Sequence, residues 1–187
     1  LPICGGDSDR PFTRAKAFHA LGYRAAVVRD DEKEPTAAIE DGFIVKGGKV
    51  IAWRDGRALE DELFQSLSDD GVKKLLARAI ELHGDDLVNE HIKSASKNAR
   101  DLATILAEAE AGGISPESRT ALGAAARTKR AGWFKSVTWM EDAARDIVGP
   151  DLPHAETGFR DLAGSIFGWC ANAGIGDRFA RHRSGTR

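Results

Sequence analysis

Cysteine is scarce in this chain, net charge is almost absent, and no apolar run is long. Only Cys4 and Cys170 occur among 187 residues, far apart and each in apolar surroundings. That excludes a disulfide framework, and without a Cys/His set at ligand spacing it excludes a zinc site, so two buried thiols are expected. No stretch approaches the ~18 apolar residues that span a bilayer, and no charged-then-apolar leader opens the chain. A soluble, cytoplasmic protein with no membrane partner is expected. There is no Walker motif, no Ser/His/Asp or Cys/His arrangement, no internal repeat and no low-complexity segment. The chain opens on the strand-like Leu1-Pro-Ile-Cys4 without methionine, as expected of a piece of something longer.

The composition that remains, 42% hydrophobic and 30% charged, is that of an ordinary globular protein. A net charge of −2 conceals an uneven distribution, because acids concentrate in the first half while Arg119, Arg127, Lys129, Arg130 and Lys135 lie in the second. An acidic half for metal and a basic half for phosphate suit a nuclease, although helix surfaces are often this basic.

Leu1–Cys4 reads as a strand, Thr13–Leu21 as a helix closed by Gly22, and Ala25–Val28 as a second, buried strand. Together they make a βαβ unit, which implies parallel pairing. Phe43–Lys46 and Lys49–Trp53, on either side of Gly47-Gly48, read as a hairpin or as one strand with a glycine-rich approach. Helical periodicity follows from Ala58, broken at Ser68-Asp69-Asp70 and running on through Val72, Leu75, Leu76, Ala79 and Ile80. From about Asp86 the pattern is helical only. A helix around Leu102–Ala109 ends at Gly112-Gly113, and Ser115-Pro116 opens another through about Lys129. Thr138–Glu141 forms a capping box whose helix stops at Gly149-Pro150, and a last helix carries Phe159, Leu162, Ile166, Phe167 and Cys170. The expected fold is therefore α/β, with a parallel sheet flanked by helices over 1–85, a helical subdomain over 86–174 and a basic tail over 175–187.

The chemistry concentrates where Ala25–Val28 runs into Asp30, Asp31 and Glu32. Carboxylates at a strand end repel unless a cation or an arginine neutralises them, and Mg²⁺ or Mn²⁺ takes such oxygens. Residues two apart in an extended segment point the same way, so Asp30 and Glu32 form the natural pair and Asp31 the alternate. A solvated acidic turn is the competing reading. Glu60, Asp61 and Glu62 form a second set at a helix start, where acids also favour the helix dipole. Asp7 and Asp9 lie in the loop after the first strand, as outer groups or simply as turn polarity. Trp133-Phe134 immediately before Lys135 anchors a lysine that can stabilise charge on phosphorus; a lysine snorkelling over packed aromatics is the alternative. Lys129 and Arg130 suit backbone grips on DNA, and Arg127 belongs with them. His83 and His91 read as packing or capping residues.

Ile3-Cys-Gly-Gly, Leu21 to Glu32, Val50 to Phe64, and Ala131-Gly-Trp-Phe-Lys135, in that order, resemble the C-terminal region of overcoming-lysogenization-defect (OLD) family nucleases, over about residues 1–170. The resemblance implies a Toprim fold with a helical subdomain, DNA cleavage with two divalent ions (Mg²⁺ or Mn²⁺), and an upstream ATPase domain of the same polypeptide, with any homodimer formed outside this chain. It places the Asp-x-Asp motif on Asp30 and Glu32, later ligands on Glu60 and Glu62, and the essential lysine on Lys135. Two departures stand out. Glutamate occupies the second acid position, and the family's Glu-Gly-x-Thr-Glu motif is absent, so those glutamates are expected before Leu1. The alternatives are a Toprim module that binds DNA or assembles without cleaving, and a receiver-like domain with Asp55 as phosphoacceptor.

Overall fold

The computed structural model describes residues 8–129 and 131–172. The expected first strand with Cys4, Asp7, Arg130 and the basic tail lie outside the described residues. The protein is mixed α/β and mostly helical, and it divides into two units: one comprises 1–29, 33–52 and 161–187, the other 30–32 and 53–160.

The first unit contains helix α1 (Arg10–Ala20), strand β1 (Ala26–Arg29), helix α2 (Ala37–Ile44) and strand β2 (Lys49–Ala52). The strands pair in parallel, with Ala26 opposite Lys49 and Arg29 opposite Ala52, so α2 is the crossover. Phe12 and Phe43 meet edge to face at 5.7 Å over Val27 and Ala25 in the core. Phe43 to Lys46 is therefore not a strand. Ile39 and Phe43 sit one turn apart and pack inward, and the apolar run continues past the helix end into exposed Ile44 and Val45. Gly48 ends that run because a Cβ there would lie 2.4 Å from the Phe43 ring. The run before the acids is not buried throughout either: Val27 is buried while Val28 is 44% exposed, the alternation of a sheet with one open face. Asp9 accepts from both N and Oγ1 of Thr36 at 2.9 Å, tying the loop before α1 to the start of α2.

The second unit is helical: α3 (Leu59–Ser66), α4 (Asp69–His83), α5 (Asp85–Ala95), α6 (Leu102–Glu110), α7 (Pro116–Ala126) and α8 (Val137–Ala143). Leu63, Phe64, Leu75, Leu76, Val88, Ile92, Leu122 and Trp133 share one core. Contacts thus divide the chain at 52/53 instead of at the expected 85/86, because α4 buries the apolar stripe that α5 and α7 need. The Ser115 hydroxyl accepts from Ser118 N at 3.3 Å, the N-cap that the sequence marks, and at the break after α3 the Ser68 hydroxyl accepts from Gly71 N at 3.1 Å and caps α4. Thr138 caps nothing, since α8 begins earlier, with Ser136 at its N-cap. Gly149-Pro150 does not stop the chain. Over Ala144–Val148 the register widens to a π-helix, and a single turn, α9 (Gly149–Asp151), follows with Pro150 at its start, where a missing N–H costs nothing. The continuation delivers buried Asp151 to the start of α4, where it accepts from Ser68 N at 2.9 Å and from the Ser68 hydroxyl.

Helix α10 (Thr157–Ala171) buries Phe159 but leaves Phe167 exposed, and Cys170, expected inside, is exposed. Among the described residues no helix is long and apolar enough to cross a membrane.

Candidate functional site

Helix α3 positions the acids. Ala58, its N-cap, has no side-chain acceptor, so carboxylates from elsewhere satisfy the helix start. Asp30 Oδ1 accepts from Leu59 N at 3.0 Å, and Asp61 Oδ2 accepts from Ala58 N at 3.2 Å. Asp31 joins from the other direction: its Oδ2 accepts from Gly56 N at 2.8 Å and its N–H donates to Arg57 O at 2.9 Å. That zips the acidic segment to the turn at 54–57, where Asp55 (φ 55°) and Gly56 (φ 67°) are both left-handed. Asp55 is exposed there and pairs with Arg57 at 3.3 Å.

Beside this cap lies Glu60, half-buried and carrying the abnormal chemistry. Burial raises its carboxyl above the ordinary range, and the charges of Asp30 and Asp61 raise it further; a backbone hydrogen bond and the Lys135 ammonium act in the opposite sense. Glu60 therefore lies within the fields of Asp30, Asp61 and Lys135.

Glu62 does not join them. Side chains two apart on a helix point ~200° apart, so Glu60 and Glu62 face different ways. Glu62 is fully buried in a cage of cations: Oε1 accepts from Arg54 Nη2 at 2.5 Å, Arg54 Nε at 3.1 Å and the Ser66 hydroxyl at 2.8 Å, while Oε2 meets Arg57 Nη1 at 3.3 Å. Arg54 also bridges to Glu156 at 2.8 Å, and its guanidinium is held well above its ordinary pKa, chiefly by that Glu156 bond. Both Glu62 oxygens are committed, which removes the side chain from the expected ligand set.

Glu32 likewise has a cationic partner. Arg127, expected on DNA, pairs with Glu32 and reaches Asp61 at 3.3 Å. It gets there because α7 lies close against α3: a Cβ on Gly123 would stand 2.8 Å from Asp61 Oδ1 and 2.9 Å from its Cα.

Lys135 closes a turn. Its N–H bonds Gly132 O at 3.4 Å, and the turn's central residues, Trp133 and Phe134, are both buried. Its Nζ donates to Lys129 O at 2.7 Å, and Lys129 itself is exposed. A Cβ on Gly132 would lie 2.6 Å from Lys135 Cε, so the lysine stem folds back over a bare backbone.

The donor chemistry suits a hard dication: crowded carboxylates, one of them half-buried, beside a lysine. Among the described residues no three His, Cys, Asp or Glu side chains gather into a metal-holding group. Mg²⁺, however, is commonly held by one or two carboxylates, with water and substrate phosphate completing its shell. The sequence placed Asp61 in the second acidic cluster, but the expected ligands took only Glu60 and Glu62 from it. The detectable signal was its N3 position behind an N-cap without a side-chain oxygen.

No family model, curated protein or solved structure matches the chain.

Proposed function

We propose that the protein is a divalent-metal-dependent DNA endonuclease, the Toprim nuclease region of an OLD-type protein in which an ATPase domain belongs to the same polypeptide. The observation that carries the reading is Glu60, a half-buried carboxylate in the fields of Asp30, Asp61 and Lys135. Burying a carboxylate among others is unfavourable in isolation and becomes favourable once a cation arrives.

Asp30 and Glu60 would hold Mg²⁺ or Mn²⁺, with Asp61 alongside. When bound, the ion supplies Lewis acidity toward the phosphodiester and charge neutralisation. Lys135, fixed by its buried turn, stabilises the charge that develops on the phosphoryl oxygens. Exposed Lys129 contacts the DNA backbone, and Arg127 follows when phosphate competes for it. Nicking of supercoiled plasmid that requires Mg²⁺ or Mn²⁺ and disappears in EDTA and in Asp30→Ala tests this. Metal-independent DNA binding without cleavage would overturn it.

The pairing of Glu32 and Asp61 with Arg127 favours a second reading, a module that binds DNA or assembles without cleaving. Calorimetric titration with Mn²⁺ separates the two, because the second predicts no high-affinity binding.

A further inference from the structure

Two histidines outside the carboxylate set converge on the turn that carries Lys135, and we propose that His91, assisted by His83, is a positioning residue for that lysine. The inference rests on the role given to Lys135 above.

Trp133 is the pin. It is fully buried, stacks edge to face on Phe64 at 5.9 Å, and ties its N–H to Ala126 O at 2.9 Å. Its carbonyl lies 3.0 Å from His83 Nε2, and its indole Nε1–H donates to His91 Nδ1 at 3.2 Å. Trp133 occupies the turn closed by Gly132 and Lys135, so whatever holds the indole sets where the lysine stem leaves the backbone. Among the described residues of the segment between α7 and α8 there is no helix or strand to do this.

The two histidines differ in what they can tolerate. His83 donates to a carbonyl, which neutral and cationic imidazole both satisfy; its ring also packs edge to face on Trp139 at 5.3 Å. His91 must accept. An indole N–H is only a donor, so His91 Nδ1 must carry a lone pair and the ring proton must sit on Nε2. Protonating His91 turns Nδ1–H against Nε1–H and breaks the bond. Burial, together with the field of His83, keeps the His91 pKa low and preserves the acceptor. His91 lies on α5, which packs on α4, α6 and α7. Among the described residues His83 of α4 is the charged or titratable neighbour whose field acts on it. On α5 itself Glu90 pairs with Lys93 at 3.6 Å.

The test uses the full chain with His91→Ala, which removes the acceptor, and His91→Asn, which keeps an acceptor that does not titrate. Amide hydrogen exchange over 131–136 and the indole N–H resonance of Trp133, assigned with Trp133→Phe, are followed against pH. In the wild type, protection is expected at neutral pH and lost in acid. His91→Ala should lose it throughout and His91→Asn keep it throughout. Plasmid nicking should follow the same order: His91→Ala lowers kcat roughly tenfold or more with KM for DNA unchanged, and His91→Asn restores kcat and removes the acid limb. Unchanged exchange in His91→Ala, or His91→Asn behaving like His91→Ala, overturns the proposal. The expected exchange pattern in a protein that cuts no DNA would instead support the His91–Trp133 coupling and remove the nuclease reading.

Discussion

Arg127 pairs with Glu32 across 95 residues of chain, and the same guanidinium stands 3.3 Å from Asp61. One arginine thus neutralises an acid from each of the two clusters that the sequence presents separately. On the proposed reading, it competes with the dication for these acids. Because Arg127 is 39% exposed, the pair is worth no more than a surface ion pair.

Arg127→Gln should therefore tighten Mn²⁺ binding by up to about fivefold, the equivalent of the ~1 kcal/mol upper range for exposed pairs. Calorimetry in the absence of DNA reads this directly. DNA affinity should fall in the same variant. If Mn²⁺ binding weakens instead, Arg127 organises the acids and does not compete for them.

Glu60 fixes a pH dependence. Its folded pKa is raised above the ordinary 4.5, chiefly by burial. The unfolded chain therefore releases this proton first, and the favourable contribution of protonated Glu60 is complete below 4.5 and lost as pH rises through the raised value. Glu60→Gln should raise Tm at neutral pH relative to wild type and flatten this part of the pH profile. Mg²⁺ should raise wild-type Tm most above that window and leave Glu60→Gln unmoved. A neutral-pH Tm below wild type in Glu60→Gln counts against the crowding argument.

Glu62 and Glu60 are predicted to part company. Glu62→Gln keeps polar atoms within its cage and should bind Mn²⁺ like wild type, whereas Glu60→Gln should not bind it. Arg54→Ala leaves Glu62 buried without its main partner, and a destabilisation of about 3 kcal/mol is expected by urea unfolding. Loss of Mn²⁺ binding in Glu62→Gln would return that residue to the ligand set.

Gly132→Ala separates placement from stability. The new methyl meets the Lys135 stem, a flexible side chain able to swing aside, so Tm should change little while the lysine leaves its position. Cleavage should fall by roughly tenfold or more with Mn²⁺ affinity intact. Lys135→Ala should show the same split more severely. Full activity in Gly132→Ala would show that the stem's path over the bare backbone is unimportant.

Local rules were legible wherever one side chain and its own backbone decide the outcome. The cap at Ser115 and the amphipathic stripe of α4 follow from residue type and spacing alone. So did the presence of two acidic clusters and of a lysine behind two aromatic anchors. Features that depend on which faces meet were less accessible. Phe43 to Val45 looks like a strand because apolar residues straddle a helix end, and only its packing on Phe12 reveals the helical face. Pro150 looks like a stop because the widened π register before it leaves no mark in composition.

The same division governs the candidate site. Residue type alone singled out Asp30, Glu60 and Lys135 as candidates for metal and phosphate chemistry. Tertiary structure decided which acids can act together: helix geometry sends Glu62 into the Arg54–Arg57 cage, the close approach at Gly123 sets Arg127 against Glu32 and Asp61, and burial raises Glu60. Charge is written in the chain, but its solvation and its neighbours depend on distances across the fold, and those distances set what each carboxylate can do.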